Sequence, residues 1–165
     1  MRRLVRAGAA VVCVLGIAGA SLASAGSRDA SDDGTGETIR LRAREVDSVF
    51  MDLGDGGFSL GDQYAFTNDL LRGGSKVGED GGLCVVTRLT AAGASTFKCV
   101  GSNDLPGGQI TVQGLVTYGP TEEVKEDPYL FAITGGTGRY RTARGEVRVE
   151  ELGGGRLRLT FRISR

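Results

Sequence analysis

The 165-residue chain contains no histidine, the side chain that most often acts in acid–base catalysis. That absence excludes Ser-His-Asp and Cys-His catalysis, histidine-bound metals and imidazole pH switches. Asp62 and Asp69 could act as a general acid or base if the fold desolvates them, although an aspartate beside a turn is more commonly a cap or a solvated residue. Residues 135–138 (GGTG) are predicted to be a glycine turn, since they lack the Gly-Lys-Ser/Thr ending of a phosphate loop.

The N-terminal residues have the pattern of an export signal. Residues 1–25 combine a basic start, an apolar run from Ala9 to Leu22 and an Ala-Ser-Ala cleavage site. The run of about 14 residues is shorter than the ~20 that span a bilayer, so a secretory signal is predicted rather than a membrane anchor. Cleavage removes three of the 20 basic residues and none of the 20 acidic ones, which leaves a net charge of −3. We therefore expect a secreted protein with no affinity for nucleic acid or, after cleavage, for membranes.

Two cysteines remain after this cleavage, Cys84 and Cys99. In an oxidising compartment a lone pair most simply forms one disulfide, and the absence of a C-x-x-C spacing argues against a redox-active pair. Residues 26–37 contain no large apolar residue and are predicted to be a flexible lead-in to a single domain over 38–165. Their aspartates do not make a calcium loop, because Arg40 stands where the required glutamate would lie, and no metal site is predicted.

The domain itself alternates between short β-rich runs and clusters of Gly, Pro, Asn and Asp, the pattern of an all-β fold. The predicted strands cover 38–53, 62–71, 83–90, 95–102, 109–118, 129–134, 139–151 and 156–164. No connection is long enough for a crossover helix, so neighbouring strands should pair antiparallel. Eight such strands suit a closed up-and-down barrel or a sandwich.

Two hairpins can be read in register. A three-residue glycine turn near the C-terminus places Val147 opposite Phe161. A two-residue turn at Ala91-Ala92 places Cys84 directly opposite Cys99, where a disulfide can form.

Alternation along the strands also sorts the remaining candidate residues by face. Four aromatic side chains lie on the same face of their strands as the apolar residues, so they face either a packed core or a cavity. They are Tyr64, Phe66, Tyr118 and Phe131. Gln113 belongs to a polar set that faces either solvent or a polar stripe of the lumen.

Residues 131–146 (FAITGGTGRYRTARGE) are similar to the G-G-T-G-x-[FY]-x-x-A-R-G signature of plant dirigent proteins. Residues 61–66 (GDQYAF), 81–84 (GGLC) and 108–114 (GQITVQG) resemble bacterial secreted members of the same superfamily, the allene oxide cyclase barrel-like proteins. The resemblance spans Asp62 to Ser164. It implies an all-β, eight-stranded antiparallel barrel of the calycin type, often trimeric, with an axial ligand cavity and no metal or organic cofactor.

The resemblance also suggests site residues. Arg144 matches the signature arginine, which in dirigent proteins contributes to the pocket and could stabilise negative charge on a substrate oxygen. Strand alternation instead places Arg144 on the face of Glu146, in a ladder of exposed charges, so both positions remain open. The acidic catalytic residues of dirigent proteins have no secure counterpart here. Arg144 and Tyr64 are the predicted catalytic residues, and the predicted ligand contacts are Phe66, Gln113, Tyr118 and Phe131.

The function implied is that of a secreted, cofactor-free barrel that binds a small apolar or phenolic intermediate and directs its stereoselective cyclisation or coupling. Such a protein works through a shaped pocket that restricts the geometry of the reaction, which a histidine-free chain can supply. If it is an enzyme, it is a cyclase of isomerase or lyase type, or a dirigent-type stereoselectivity factor. The alternative is a barrel that only carries a ligand, or one whose lumen is filled by side chains.

Overall fold

The computed structural model describes residues 36–54, 56–120 and 128–164. The predicted signal peptide and nearly all of the predicted lead-in lie outside these residues. Within the described part of the chain, no helix has the length and apolar character needed to cross a membrane.

Eight antiparallel strands close into a barrel in the order of the chain, so that the last strand pairs with the first. They are β1 (Glu37–Met51), β2 (Gln63–Arg72), β3 (Ser75–Leu89), β4 (Ser95–Leu105), β5 (Gly108–Tyr118), β6 (Tyr129–Gly136), β7 (Arg144–Glu151) and β8 (Arg156–Ser164). One turn of 3₁₀ helix, Gly138–Tyr140, precedes β7. The predicted eight-stranded antiparallel barrel is therefore confirmed, and the sandwich is excluded.

The predicted register is confirmed in both hairpins. Val147 lies opposite Phe161 between β7 and β8. Cys84 lies opposite Cys99 between β3 and β4, and the two form a disulfide. The turn between β3 and β4 is wider than predicted, because β3 contains a bulge after Val86 that shifts the pairing by one residue before the turn.

Two strand boundaries differ from the prediction. β3 begins at Ser75 rather than at residue 83, although the glycine-rich residues 72–82 have the sequence pattern of a loop. Gly78 is needed there because a Cβ at this position would lie 2.1 Å from the carbonyl oxygen of Asp104 on β4. β7 begins at Arg144 rather than at 139, since the preceding residues form the short helix that buries Tyr140.

The interior of the barrel is divided along its axis. One end is filled by a continuous apolar core, to which every strand except β3 contributes fully buried side chains; among them are Ile39, Leu41, Leu70, Leu105, Ile110, Ile133, Val147 and Phe161. Each fully buried side chain of this size stabilises the fold by roughly 1.5–3 kcal/mol. We call this the packed end. At the opposite end, which we call the open end, lie residues 52–54, 56–62, 90–94 and 152–155, together with the end of β5 and the start of β6.

Candidate functional site

A cavity of about 310 Å³ occupies the half of the barrel nearest the open end. Its outer margin is formed by the turn between β7 and β8, and its walls are mainly apolar and aromatic. The aromatic side chains of the wall are Tyr64, Phe66, Tyr118, Tyr129 and Phe131, and the Cys84–Cys99 disulfide forms part of the same surface. A concave, mostly apolar site of this size can enclose a small organic molecule.

Two inward-facing glycines make room for aromatic rings in the wall. A Cβ at Gly82 would lie 2.5 Å from Cζ of Phe66, and one at Gly114 would lie 2.3 Å from Cδ1 of Phe131. Both rings therefore occupy the space that a side chain would take on the neighbouring strand. Because the rings lie against the wall in this way, the centre of the lumen stays open.

A row of polar side chains crosses four adjacent strands of the cavity wall, from the exposed Glu45 beside the turn between β7 and β8 to the buried Asn68 and Asn103. Glu45 on β1 pairs with Asn68 on β2, Asn68 pairs with Asp80 on β3, and Asp80 pairs with Asn103 on β4. All four line the cavity, and we call them the polar belt. Asn68 Nδ2 donates to Asp80 Oδ1 over 2.7 Å, and Asn103 Nδ2 donates to the carbonyl oxygen of Ile110 over 3.3 Å. Each amide is thus fixed by a partner, and one carboxylate lies between two amides.

Asp80 is the group of the polar belt with the most perturbed acidity. Burial raises its pKa from 3.8 to about 6, and the hydrogen bond from Asn68 offsets only part of that effect. A carboxyl with this pKa holds and releases a proton near neutral pH, as a general acid or base must. The structure therefore places one proton-transfer group at the floor of an apolar cavity.

Two tyrosines of the wall donate hydrogen bonds to carboxylates. The hydroxyl of Tyr64 donates to Glu45 Oε2 over 2.6 Å, and that of Tyr118 donates to Glu151 Oε1 over 3.4 Å. Burial, and then the neighbouring carboxylate, raises the pKa of both phenols above the usual value. Both phenols therefore remain protonated at neutral pH and present their rings, rather than an anionic oxygen, to the lumen.

Four of the six residues predicted to form the site line the cavity: Tyr64, Phe66, Tyr118 and Phe131. Gln113 and Arg144 do not. Gln113 is exposed on the outer face of β5, because its neighbours Val112 and Gly114 take the inward positions.

Arg144 is exposed on the outside of β7, where its Nη1 donates to the carbonyl oxygen of Ala143 over 2.7 Å. The pairing of β7 with β8 continues without a register shift through Gly145, so no bulge turns Arg144 inward. Of the two positions considered for this arginine, the structure shows the exterior one. A role inside the lumen is therefore unsupported for both Arg144 and Gln113.

The two aspartates near predicted turns also face away from the lumen. Asp62 is fully buried and accepts hydrogen bonds from the backbone N–H of Leu53 (2.9 Å) and of Ser59 (2.6 Å), which lower its pKa. It thus anchors the connection between β1 and β2. Asp69 lies on the outer surface, where Arg44 approaches it to 2.7 Å.

The polar belt and Glu151 were absent from the sequence prediction. The sequence pattern does not predict a lumenal role for Asp80, because residues 72–82 lie between two predicted strands. The signal that would have found it is the alternation of β3, since Asp80, Gly82 and Cys84 share one parity and hence one face.

These features define a lumen-forming antiparallel β-barrel whose cavity has aromatic walls and an acidic floor. Residues 38–162 match the allene oxide cyclase barrel-like domain, and the chain belongs to this family. The resemblance carried by the glycine-rich signature and its upstream segments is thereby confirmed.

Solved structures share the fold. A pyocyanin demethylase is 27% identical, with a TM-score of 0.66 over 78% of this chain and 100% of its own. An exo-specific intermolecular Diels-Alderase is 12% identical, with a TM-score of 0.58 over 79% of this chain and 98% of its own. A Diels-Alderase from Streptomyces koyangensis is 15% identical, with a TM-score of 0.61 over 80% of this chain and 71% of its own. No curated protein matches the sequence.

Proposed function

We propose that the lumen binds a small, largely aromatic or apolar molecule and directs a ring-forming or coupling reaction of that molecule. The observation that carries this proposal is the 310 Å³ cavity, with aromatic walls that end at the carboxyl of Asp80. Membership of the barrel family supports it, and so do structural relatives described as Diels-Alderases and as a demethylase.

Two effects would act on the bound molecule. The aromatic walls hold a flexible or reactive intermediate in one conformation, so that the reacting atoms meet in a single orientation. Asp80, in its ionised form, accepts a proton from the bound molecule and can return it at another atom of the same molecule. General acid–base catalysis of this kind contributes about 10²–10⁴-fold in rate. The amide of Asn68 holds the carboxyl by its hydrogen bond, and the amide of Asn103, fixed by the carbonyl oxygen of Ile110, lines the same surface for substrate oxygen atoms.

The test is a panel of polyene and phenolic substrates, whose products are separated by chiral chromatography. The wild-type protein should change the ratio of stereoisomers, and Asp80→Asn should lower the rate about 10²-fold or more. Asp69→Asn is the matched control, because it removes an aspartate of the neighbouring strand that faces outward. Unchanged products from the whole panel would refute the proposal.

A second variant separates catalysis from ligand carriage. Tyr64→Phe keeps the ring in the wall but removes the hydroxyl that donates to Glu45. If the wild type, Tyr64→Phe and Asp80→Asn all bind ligand equally well and none of the three proteins changes the products, the barrel is a carrier rather than a catalyst.

Secretion is part of the proposal. The disulfide between Cys84 and Cys99 supports it, since such bonds persist in oxidising compartments. Mass spectrometry of the mature protein from the culture medium should give an N-terminus at Gly26, whereas an intact Met1 would contradict it. Light scattering tests the homotrimer that the family resemblance implies, and the molar mass of a monomer would contradict that trimer.

A further inference from the structure

The charges that line the cavity are mostly of one sign. Three carboxylates face it, those of Glu45, Asp80 and Glu151, against the single cation Arg156 among the described residues of its lining. Arg156 lies in the turn region at the outer margin, where its Nε donates to the carbonyl oxygen of Gly153 over 3.1 Å. Glu45 and Glu151 are exposed at the same margin, where the backbone N–H of Glu45 donates to the carbonyl oxygen of Gly155, and Asp80 lies deeper in the lumen. Among the described residues, the lining thus has more carboxylates than cations.

Aromatic rings lie on two separate walls between these carboxylates. The ring centroids of Tyr64 and Phe66 are 5.8 Å apart on β2, and those of Tyr129 and Phe131 are 5.5 Å apart on β6. The face of an aromatic ring attracts a cation, most strongly where water is excluded. Aromatic walls together with carboxylates are the chemistry that binds organic cations with a large, weakly hydrated surface.

From these contacts we infer that the lumen prefers ligands that carry a positive charge on an aromatic or N-alkylated ring system over neutral and anionic molecules of the same shape. This inference rests on the proposed binding of a small molecule in the lumen and specifies its class.

The arrangement suits an organic cation better than a metal ion. Among the described residues, no group of three or more His, Cys, Asp or Glu side chains lies close enough together to hold a metal. The three carboxylates of the lining come instead from β1, β3 and β7, and the two at the mouth, Glu45 and Glu151, accept hydrogen bonds from tyrosines. A delocalised charge can interact with carboxylates on different walls at once, while the rings contact its apolar surface.

The preference for cations should depend on pH, because the carboxyl of Asp80 at the floor of the cavity changes its charge. The groups that face Asp80 from the neighbouring strands are the neutral amides of Asn68 and Asn103, and Glu45 follows Asn68 in the polar belt. The other titratable groups in the lining are Tyr64, Tyr118, Tyr129, Glu151 and Arg156. Between pH 5 and pH 8, Asp80 passes from mostly protonated to ionised, so the lumen becomes more negative and the affinity for a cation rises.

The test uses three probes with one bicyclic shape: N-methylquinolinium as the cation, 1-methylnaphthalene as the neutral molecule and 1-naphthoate as the anion. Isothermal titration calorimetry at pH 8 should show the cation binding about tenfold more tightly than the neutral probe, with the anion weakest. At pH 5 the advantage of the cation should shrink severalfold. Equal or tighter binding of the neutral probe at pH 8 would overturn the inference and leave lumenal binding intact.

Variants assign the effect to the lumen. Asp80→Asn should reduce the affinity for the cation and abolish its pH dependence while leaving the affinity for the neutral probe unchanged. Asp69→Asn, on the outer surface, should bind all three probes as the wild type does. If Asp69→Asn lowers the affinity for the cation as much as Asp80→Asn does, the preference arises from the overall charge of the protein and the inference fails. If none of the probes binds, the proposed lumenal binding fails, and the inference with it.

Discussion

The substitution Asp80→Asn should stabilise the protein at neutral pH. Burial raises the pKa of this carboxyl in the folded state from 3.8 to about 6, so the folded protein holds the proton more tightly than the unfolded chain does. Stability associated with this group is therefore fully present below pH 3.8 and is lost as the pH rises through about 6. The difference between the two pKa values corresponds to about 3 kcal/mol at pH 8.

An asparagine at this position recovers most of that free energy. Its side-chain oxygen can still accept the hydrogen bond from the Asn68 amide, and an asparagine carries no charge that burial penalises. We expect a gain of about 1–3 kcal/mol at pH 8, which raises the melting temperature by about 3–10 °C in a domain of this size. The gain should disappear near pH 3.5, where the carboxyl is protonated in both states.

The assay is urea denaturation followed by circular dichroism at several pH values, with Asp69→Asn as the control. Hydrogen bonds from Lys76 and Arg44 lower the pKa of Asp69, so this carboxylate contributes stability that is present at neutral pH and is lost as the pH falls. Asp69→Asn should therefore destabilise the protein at pH 8, opposite in sign to Asp80→Asn. A loss of stability in Asp80→Asn at pH 8, or a gain that does not vary with pH, would refute the reasoning.

Two further predictions concern the wall of the cavity. Replacing both Cys84 and Cys99 by alanine should lower the free energy of unfolding by about 3 kcal/mol, because the bridge closes a 15-residue loop; unchanged denaturation midpoints would contradict this. Gly114→Ala should displace the ring of Phe131 into the lumen and weaken ligand binding at least about tenfold by calorimetry. Gly101→Ala is its control, because a Cβ there also lines the cavity but would lie 3.4 Å or more from the neighbouring strands and would displace no ring; equal losses in both variants would count against the role of Gly114.

The barrel could be predicted from the sequence because its strands alternate clearly where they contribute to the core. Leu157, Leu159, Phe161 and Ile163 all point inward in β8, and the three-glycine turn before them sets the register with β7. The cysteine pair fixes a second register, since two cysteines that form a bridge across an antiparallel pair lie opposite each other.

The site was harder to predict, because a lumen requires side chains that break the pattern of a core. In β3 the inward positions are Gly78, Asp80 and Gly82, which resemble a loop when a strand is recognised by apolar residues. Their role depends on neighbours from other strands, namely the backbone of β4 at Gly78, Asn68 at Asp80 and Phe66 at Gly82. None of these contacts follows from local sequence.

The position of Arg144 shows a different limit. The motif that contains it identified the family correctly, yet the side chain lies outside the barrel. Gly145, beside it, has a φ of +120°, and a Cβ there would lie 2.1 Å from the carbonyl oxygen of Arg162. The glycine therefore allows close approach of β7 and β8. In this chain the motif reflects the packing of these two strands and does not identify the residues that contact a ligand.

Because the barrel has a packed end and an open end, one strand can contain residues with two different roles. β2, for example, places Leu70 in the core and Tyr64 in the wall of the cavity, so one strand carries both a folding determinant and a candidate specificity determinant. Tyr64 packs in a second hydrophobic cluster, around Cys84, Cys99 and Val116, and a substitution there leaves the core of the packed end in place. The lumen can therefore change at such positions while the packed end keeps the barrel closed, which gives a physical basis for structures that share this architecture at 12–27% identity.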